Sequence, residues 1–88
     1  MKRKTAIVTG ASHGIGQAIA VALAKNNYDV GINYCSNRSG AEQTLRLVED
    51  AGAKALLLQA DVGSYEALSA IFRQFDTTFD HLDLMVNN

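Results

Sequence analysis

Four short apolar runs punctuate the chain: TAIVT at Thr5–Thr9, VGINY at Val30–Tyr34, ALLLQA at Ala55–Ala60 and LDLMV at Leu82–Val86. None shows the sustained apolar–polar alternation of a strand with one face in water. Continuous runs of this length suit parallel strands covered on both faces. The segments between them repeat with a helical period. Ile15, Ile19, Ala22 and Leu23 form one stripe, and Ala41, Leu45, Val48 and Ala51 a second. Leu68, Ile71, Phe72, Phe75 and Phe79 form the third and most hydrophobic one, which reads as core. Asn27 and Gly52 stand where left-handed residues would close the first two helices. Ser39 and Ser64 are the expected N-caps of the second and third.

The order is thus β-α-β-α-β-α-β, with crossovers long enough to be helices. Parallel pairing through right-handed crossovers is the economical arrangement. The fold class expected is α/β: the first four strands of a Rossmann-type doubly wound parallel sheet, in the order 3-2-1-4, with three helices. The first two helices should share one face of the sheet and the third should cover the other. Residues 1–88 read as the dinucleotide-binding part of a single domain, ending abruptly on a strand.

Composition narrows the function classes. The chain has 88 residues, 48% of them hydrophobic and 19% charged, with a net charge of −1, a near-neutral balance that gives no reason to expect nucleic acid as a partner. One cysteine, Cys35, rules out an internal disulfide framework and fits a reducing cytoplasm. The start MKRKTAIVTG is basic, yet only Ala6, Ile7 and Val8 precede Thr9 and Gly10, too few for a signal peptide's apolar core. No window reaches the length of a membrane span. The reading is a soluble, cytoplasmic protein with no membrane partner. No metal-ligand cluster is assigned.

The chemistry concentrates at TGASHGIG, Thr9 to Gly16, which carries its glycines at Gly10, Gly14 and Gly16. In a doubly wound sheet, ligands bind beyond the carboxyl ends of the strands, beside the first strand. A helix start there offers unpaired N–H groups and a positive dipole end to a pyrophosphate. Gly10 would allow the sharp exit from the strand, and Gly14 would let backbone approach phosphate. Gly16 would let the helix pack closely, and Ser12 can hydrogen-bond across the turn or to a phosphate oxygen. A glycine triplet alone could serve turn geometry only; this one has a strand before it and a helix after it.

TGASHGIG resembles the TGxxxGxG signature of the short-chain dehydrogenase/reductase family. INYCSNR after the second strand, Ala60–Val62 (ADV) after the third and LDLMVNN at the end match in order. The resemblance spans essentially the whole chain, and INYCSNR looks most like the 3-oxoacyl-carrier-protein reductase and sugar dehydrogenase branches. It implies an oxidoreductase that moves hydride between a nicotinamide and a carbonyl or alcohol carbon, in a homo-oligomeric parent enzyme. It implies adenine contacts for Asp61 and Val62, although Asp61 could simply order the turn before the third helix. Asn88 is implied at the cofactor ribose and Asn87 in a structural role. His13 and Ile15 complete the glycine turn, His13 as an electrostatic contact beside the adenosine phosphate rather than a base. His81 is expected to be solvated at the opposite edge. LDLMVNN resembles a longer LDxLVNNAG motif, and its end at Asn88 suggests truncation of a longer enzyme.

No catalytic residue is assigned. The family's dyad is Tyr-x-x-x-Lys; Tyr34-x-x-x-Arg38 has the spacing, but arginine does not share protons near neutral pH, and the segment follows the second strand. The residues at the end of that strand and just beyond it bear instead on cofactor choice. NAD-specific sites of this architecture place a carboxylate about 20 residues past the glycines, on the ribose hydroxyls. Here Asn33 ends the strand, Asp29 lies at its other end, and no further Asp or Glu occurs before Glu42. Arg38 can grip a 2′-phosphate, with Asn33, Tyr34 and Ser36 adding neutral bonds or packing. The cofactor expected is NADP(H), with NAD(H) as the alternative. A second reading is a dinucleotide-binding module without catalysis.

Overall fold

The computed structural model describes residues 3–88, so Met1 and Lys2 of the basic start lie outside it. The elements run β1 (Lys4–Val8), α1 (Gly14–Lys25), β2 (Tyr28–Tyr34), α2 (Arg38–Asp50), β3 (Ala55–Gln59), α3 (Tyr65–Thr78) and β4 (Leu84–Val86). The four strands form one parallel sheet in the order β3-β2-β1-β4. This is the Rossmann-type order that the alternation of runs and stripes predicts.

Alternate residues of each strand divide the core in two. Val8, Val30, Ile32 and Tyr34 face α1 and α2, packing against Ala20, Ala24, Ala41 and Val48. Ile7 and Leu58 face the other way, against Ile71, Phe75 and Phe79 of the α3 segment. Two helices therefore share one face and one covers the other, as expected. The stripe of α1 differs from expectation. Ile15 is 73% exposed, and the buried positions of the helix are Gly16, Ala20 and Ala24. Small side chains let α1 lie close to the sheet, with Ile19 and Leu23 flanking the contact.

Helix ends follow the chemistry of the chain. Ser64 caps α3, accepting from the Ala67 amide at 3.0 Å. The cap of α2 is Asn37, which accepts from the Gly40 amide at 3.1 Å; Ser39 lies inside the helix. Asn is as strong a cap as Ser, and two residues separate the expected position from the observed one. Asn27 and Gly52 take positive φ just beyond α1 and α2, as left-handed C-terminal residues do.

At the amino ends of the strands, Asp29 accepts from Arg3 Nε at 2.8 Å and from the Lys54 amide at 2.9 Å. His81 is not merely solvated. Its Nδ1 lies 2.6 Å from Asp80 Oδ1 and its Nε2 3.0 Å from Asp83 Oδ2, while its carbonyl accepts from the Thr5 hydroxyl. These contacts seat the β4 entry on β1, and β4 itself starts at Leu84, two residues later than expected. Among the described residues, no helix is long and apolar enough to cross a membrane.

Among the described residues β4 pairs on one side only, and Leu82, Leu84 and Phe72 are 36–37% exposed. Open strand edges beside apolar surface template association. A polypeptide of these 88 residues alone should self-associate. Sedimentation velocity across a concentration series checks this, and a monomer at every concentration would refute it.

Candidate functional site

Because all four strands are parallel, the loops after them gather at one edge. Residues 9–13, 35–37, 60–64 and 87–88 meet there, and backbone bonds tie them together. The Ala11 amide donates to the Asn33 carbonyl at 2.9 Å, and the Ala60 amide to the Tyr34 carbonyl at 3.0 Å. The residues expected from the sequence to hold the cofactor lie at or beside this edge, but they do different things.

Asn33 is 2% exposed, and its amide faces inward. Its Nδ2 donates to the Leu58 carbonyl at 3.0 Å and the Ala60 carbonyl at 3.2 Å, while its Oδ1 accepts from the Gly10 amide at 3.3 Å. One buried side chain thus links the loops after β1 and β3. It holds the glycine turn in place rather than presenting its amide to solvent. Asn88 clamps the turn from the other side. Its amide N–H donates to Thr9 Oγ1 at 2.9 Å and its Nδ2 to the Gly10 carbonyl at 3.2 Å. Asn88, rather than Asn87, makes these ties to the chain after β1.

Within the turn, Gly10 and Gly14 take φ of +60° and +59°, a region costly to residues with a Cβ. A Cβ on Gly14 would meet nothing within 4 Å, so this glycine borders open space. Gly16 is the opposite case: a Cβ there would lie 2.2 Å from the Gly10 carbonyl oxygen. The first helical turn therefore rests directly on the strand exit. His13 occupies the N-cap of α1 without a side-chain bond to the helix amides, whereas α2 and α3 both have one. Its Nδ1 lies instead 3.1 Å from the Ser12 hydroxyl. The first amides of α1 thus face the edge with no side chain capping them. Ser12 is buried, while His13 and Ile15 are exposed on the rim.

On the second loop, Tyr34 is 1% exposed, its ring among the α1–α2 core. Arg38 opens α2 and donates from Nη1 to the Tyr34 hydroxyl at 3.0 Å and from Nε to Glu42 at 3.4 Å. Cys35 and Ser36 are exposed beside it. On the third loop, Asp61 Oδ1 accepts from the Gly63 amide at 3.0 Å, which orders the turn before α3. Val62 packs on the α3 side of the core. Asp29 is at the far end of β2, consistent with its being out of reach of this edge.

A polar bridge beneath the turn escaped the sequence reading. Thr44 is fully buried in α2; its hydroxyl lies 2.7 Å from the Ala11 carbonyl, to which it can donate, and accepts from Gln17 Nε2 at 2.9 Å. Gly40, one turn earlier, leaves no room for a Cβ against the Ser12 carbonyl. The available signal was a threonine set in the Ala41–Val48 stripe, where an apolar residue belongs.

Compared with known proteins, residues 4–88 match the family model described as short chain dehydrogenase. The chain belongs to the short-chain dehydrogenase family. It is 47% identical to glucose 1-dehydrogenase 2 of Bacillus subtilis, over 97% of this chain and 33% of that protein. It is 36% identical to the 3-oxoacyl-[acyl-carrier-protein] reductase of Staphylococcus aureus, over 97% of this chain and 35% of that one. Among solved structures, acetoin dehydrogenase from Enterobacter cloacae superposes with a TM-score of 0.90 at 34% identity, covering 100% of this chain and 34% of that one. A dehydrogenase/reductase from Sinorhizobium meliloti gives 0.93 at 35% identity, covering 100% of this chain and 35% of that one. The chain thus spans about a third of the length of the relatives it matches.

Proposed function

We propose that these residues form the dinucleotide-binding part of an NADP(H)-dependent oxidoreductase that interconverts small carbonyl and alcohol substrates. The observation that carries the reading is the start of α1. It lies at the carboxyl end of the central strand β1, has no side-chain cap, and is approached through two left-handed glycines with open space at Gly14. Such a helix end suits a pyrophosphate. The fit extends around the edge. Gly10, Gly14 and Gly16 with Ser12 and His13 would hold the pyrophosphate, Asp61 and Val62 the adenine, and Asn88 the ribose. The bound cofactor supplies the hydride chemistry, while the protein supplies position and electrostatics. Relatives named as dehydrogenases and reductases support the reaction class. The whole protein, on this reading, is a cytoplasmic homo-oligomer.

NADP(H) is favoured over NAD(H) by the residues around the end of β2. Asn33 is turned inward, Asp29 is held by Arg3 and Lys54 at the far end, and Arg38 stands in the first turn of α2. A cation there opposes the helix dipole, so helix stability does not account for it. Arg38 favours an anion there, which a 2′-phosphate supplies. Replacing Arg38 with alanine should weaken NADP(H) binding by about 1.5–3 kcal/mol, the scale of a hydrogen bond to a charged group. NAD(H) binding should move far less. Calorimetric titration of both cofactors tests this, and equal affinities of the unmutated protein for the two would contradict it.

A second reading, binding without chemistry, is favoured by one observation. These 88 residues contain no Tyr-x-x-x-Lys, and the Tyr34 ring is buried in the core. A serine with a Tyr-x-x-x-Lys elsewhere in the whole protein would decide for the oxidoreductase.

A further inference from the structure

We infer that Tyr34 and Glu42 set cofactor preference in opposite directions, both by acting on Arg38 and neither by touching the ligand. This rests on the reading of Arg38 as the 2′-phosphate residue. Tyr34 ends β2 with its ring buried in the α1–α2 core, yet its hydroxyl reaches Arg38 Nη1 at 3.0 Å. A long, 64% exposed arginine side chain would otherwise sample many rotamers. The buried ring gives it a fixed point at the site's rim, and because the acceptor is neutral this contact does not itself offset the guanidinium's charge. Glu42 does the reverse. It lies one helical turn further on and takes the Nε donor at 3.4 Å with a full negative charge, itself 45% exposed. An incoming phosphate must compete with that carboxylate for the same fork of donors and is repelled by it.

The two contacts leave the remaining N–H groups of the guanidinium, one on Nη1 and two on Nη2, for a ligand. Tyr34 is therefore a positioning residue and Glu42 a competitor. Tyr34→Phe keeps the ring and removes only the hydroxyl; Glu42→Gln keeps the shape and removes only the charge.

NADPH and NADH are titrated calorimetrically into the unmutated protein, Tyr34→Phe, Glu42→Gln, Arg38→Ala, and each of the first two changes combined with Arg38→Ala. Tyr34→Phe should weaken NADPH about 5-fold, half or less of the full loss expected for a charged hydrogen bond. Glu42→Gln should strengthen it about 2- to 5-fold, the range of an exposed ion pair, and this gain should shrink in high salt. The NADPH-to-NADH affinity ratio must move in both cases. In the Arg38→Ala background both effects should vanish. A merely structural role for Tyr34 would weaken both cofactors equally and persist in that background, overturning the inference. Loss of NADPH affinity in Arg38→Ala with a silent Tyr34→Phe and a silent Glu42→Gln would overturn it while leaving the reading of Arg38 intact. A silent Arg38→Ala would overturn both.

Discussion

Replacing Gly16 with alanine should abolish tight dinucleotide binding and lower the melting temperature by about 4–8 °C. In an exposed helix the change would be favourable by about 1 kcal/mol, because alanine has the higher helix propensity. The site reverses the sign. The added Cβ would lie 2.2 Å from the Gly10 carbonyl oxygen, 2.9 Å from its carbon and 2.7 Å from Asn88 Nδ2. Two of those three atoms are backbone and cannot rotate away. Overpacking of this kind costs about 1–3 kcal/mol or more. After subtracting the propensity gain, a net loss of about 1 kcal/mol corresponds to the stated melting shift for a chain of about 60–100 residues.

Binding suffers more than stability, since relief requires α1 to move away from the strand exit, carrying its uncapped amides out of register with the turn. Gly14→Ala is the informative contrast. Its Cβ has open space, so the fold loses only the left-handed strain of about 1–2 kcal/mol, while the ligand's approach is narrowed. Calorimetry with NADPH and thermal melts on both variants check the pair. Unchanged affinity in a folded Gly16→Ala variant would refute the placement of the phosphate at this turn.

The fold was largely readable because its signals are local. Continuous apolar runs mark strands buried on both faces, and helical stripes between them force parallel pairing. The errors occur where size or distance overrides local pattern. Ile15 belongs to an apolar stripe by period, but it is the small residues Gly16, Ala20 and Ala24 that touch the sheet, because α1 packs at a distance set by backbone rather than by side chains. Hydrophobicity ranks isoleucine above glycine, and close packing inverts that ranking.

The site was readable in its outline and not in its wiring. The glycines can be found by their place between strand and helix, and ADV and the two asparagines by their resemblance to the family's motifs. Asn33 cannot be read as an internal tie, since its partners Gly10, Leu58 and Ala60 lie 23 to 27 residues away and form no motif with it. The same holds for Thr44, 33 residues from Ala11. Both are ordinary polar residues in sequence and become scaffolding only once the sheet brings the loops together. The preference for polar residues at these buried positions comes from the turn itself. Its carbonyls and amides leave regular pairing where the chain bends, and buried groups of that kind need partners.

Gly40→Ala carries the same logic to a residue outside every recognised motif. Gly40 lies in the first turn of α2, and helix propensity alone again predicts a gain of about 1 kcal/mol for alanine. A Cβ there would stand 2.4 Å from the Ser12 carbonyl oxygen and 2.4 Å from Asn37 Nδ2. The asparagine is a flexible neighbour and can turn aside, at the cost of the cap it gives to the Gly40 amide, about 1 kcal/mol. The Ser12 carbonyl belongs to the glycine turn and yields only if α2 and the turn separate. That movement would strain the 2.7 Å contact between Thr44 and the Ala11 carbonyl directly below. Clash, lost cap and stretched bond together exceed the propensity gain, for a net destabilisation of about 1–3 kcal/mol. Dinucleotide affinity should fall by about tenfold or more, because the displaced segment is the turn proposed to hold the phosphate and not a distant surface. Chemical denaturation and NADPH titration of Gly40→Ala measure the two effects. A variant as stable as the parent, or more so, would show that α2 does not brace the turn.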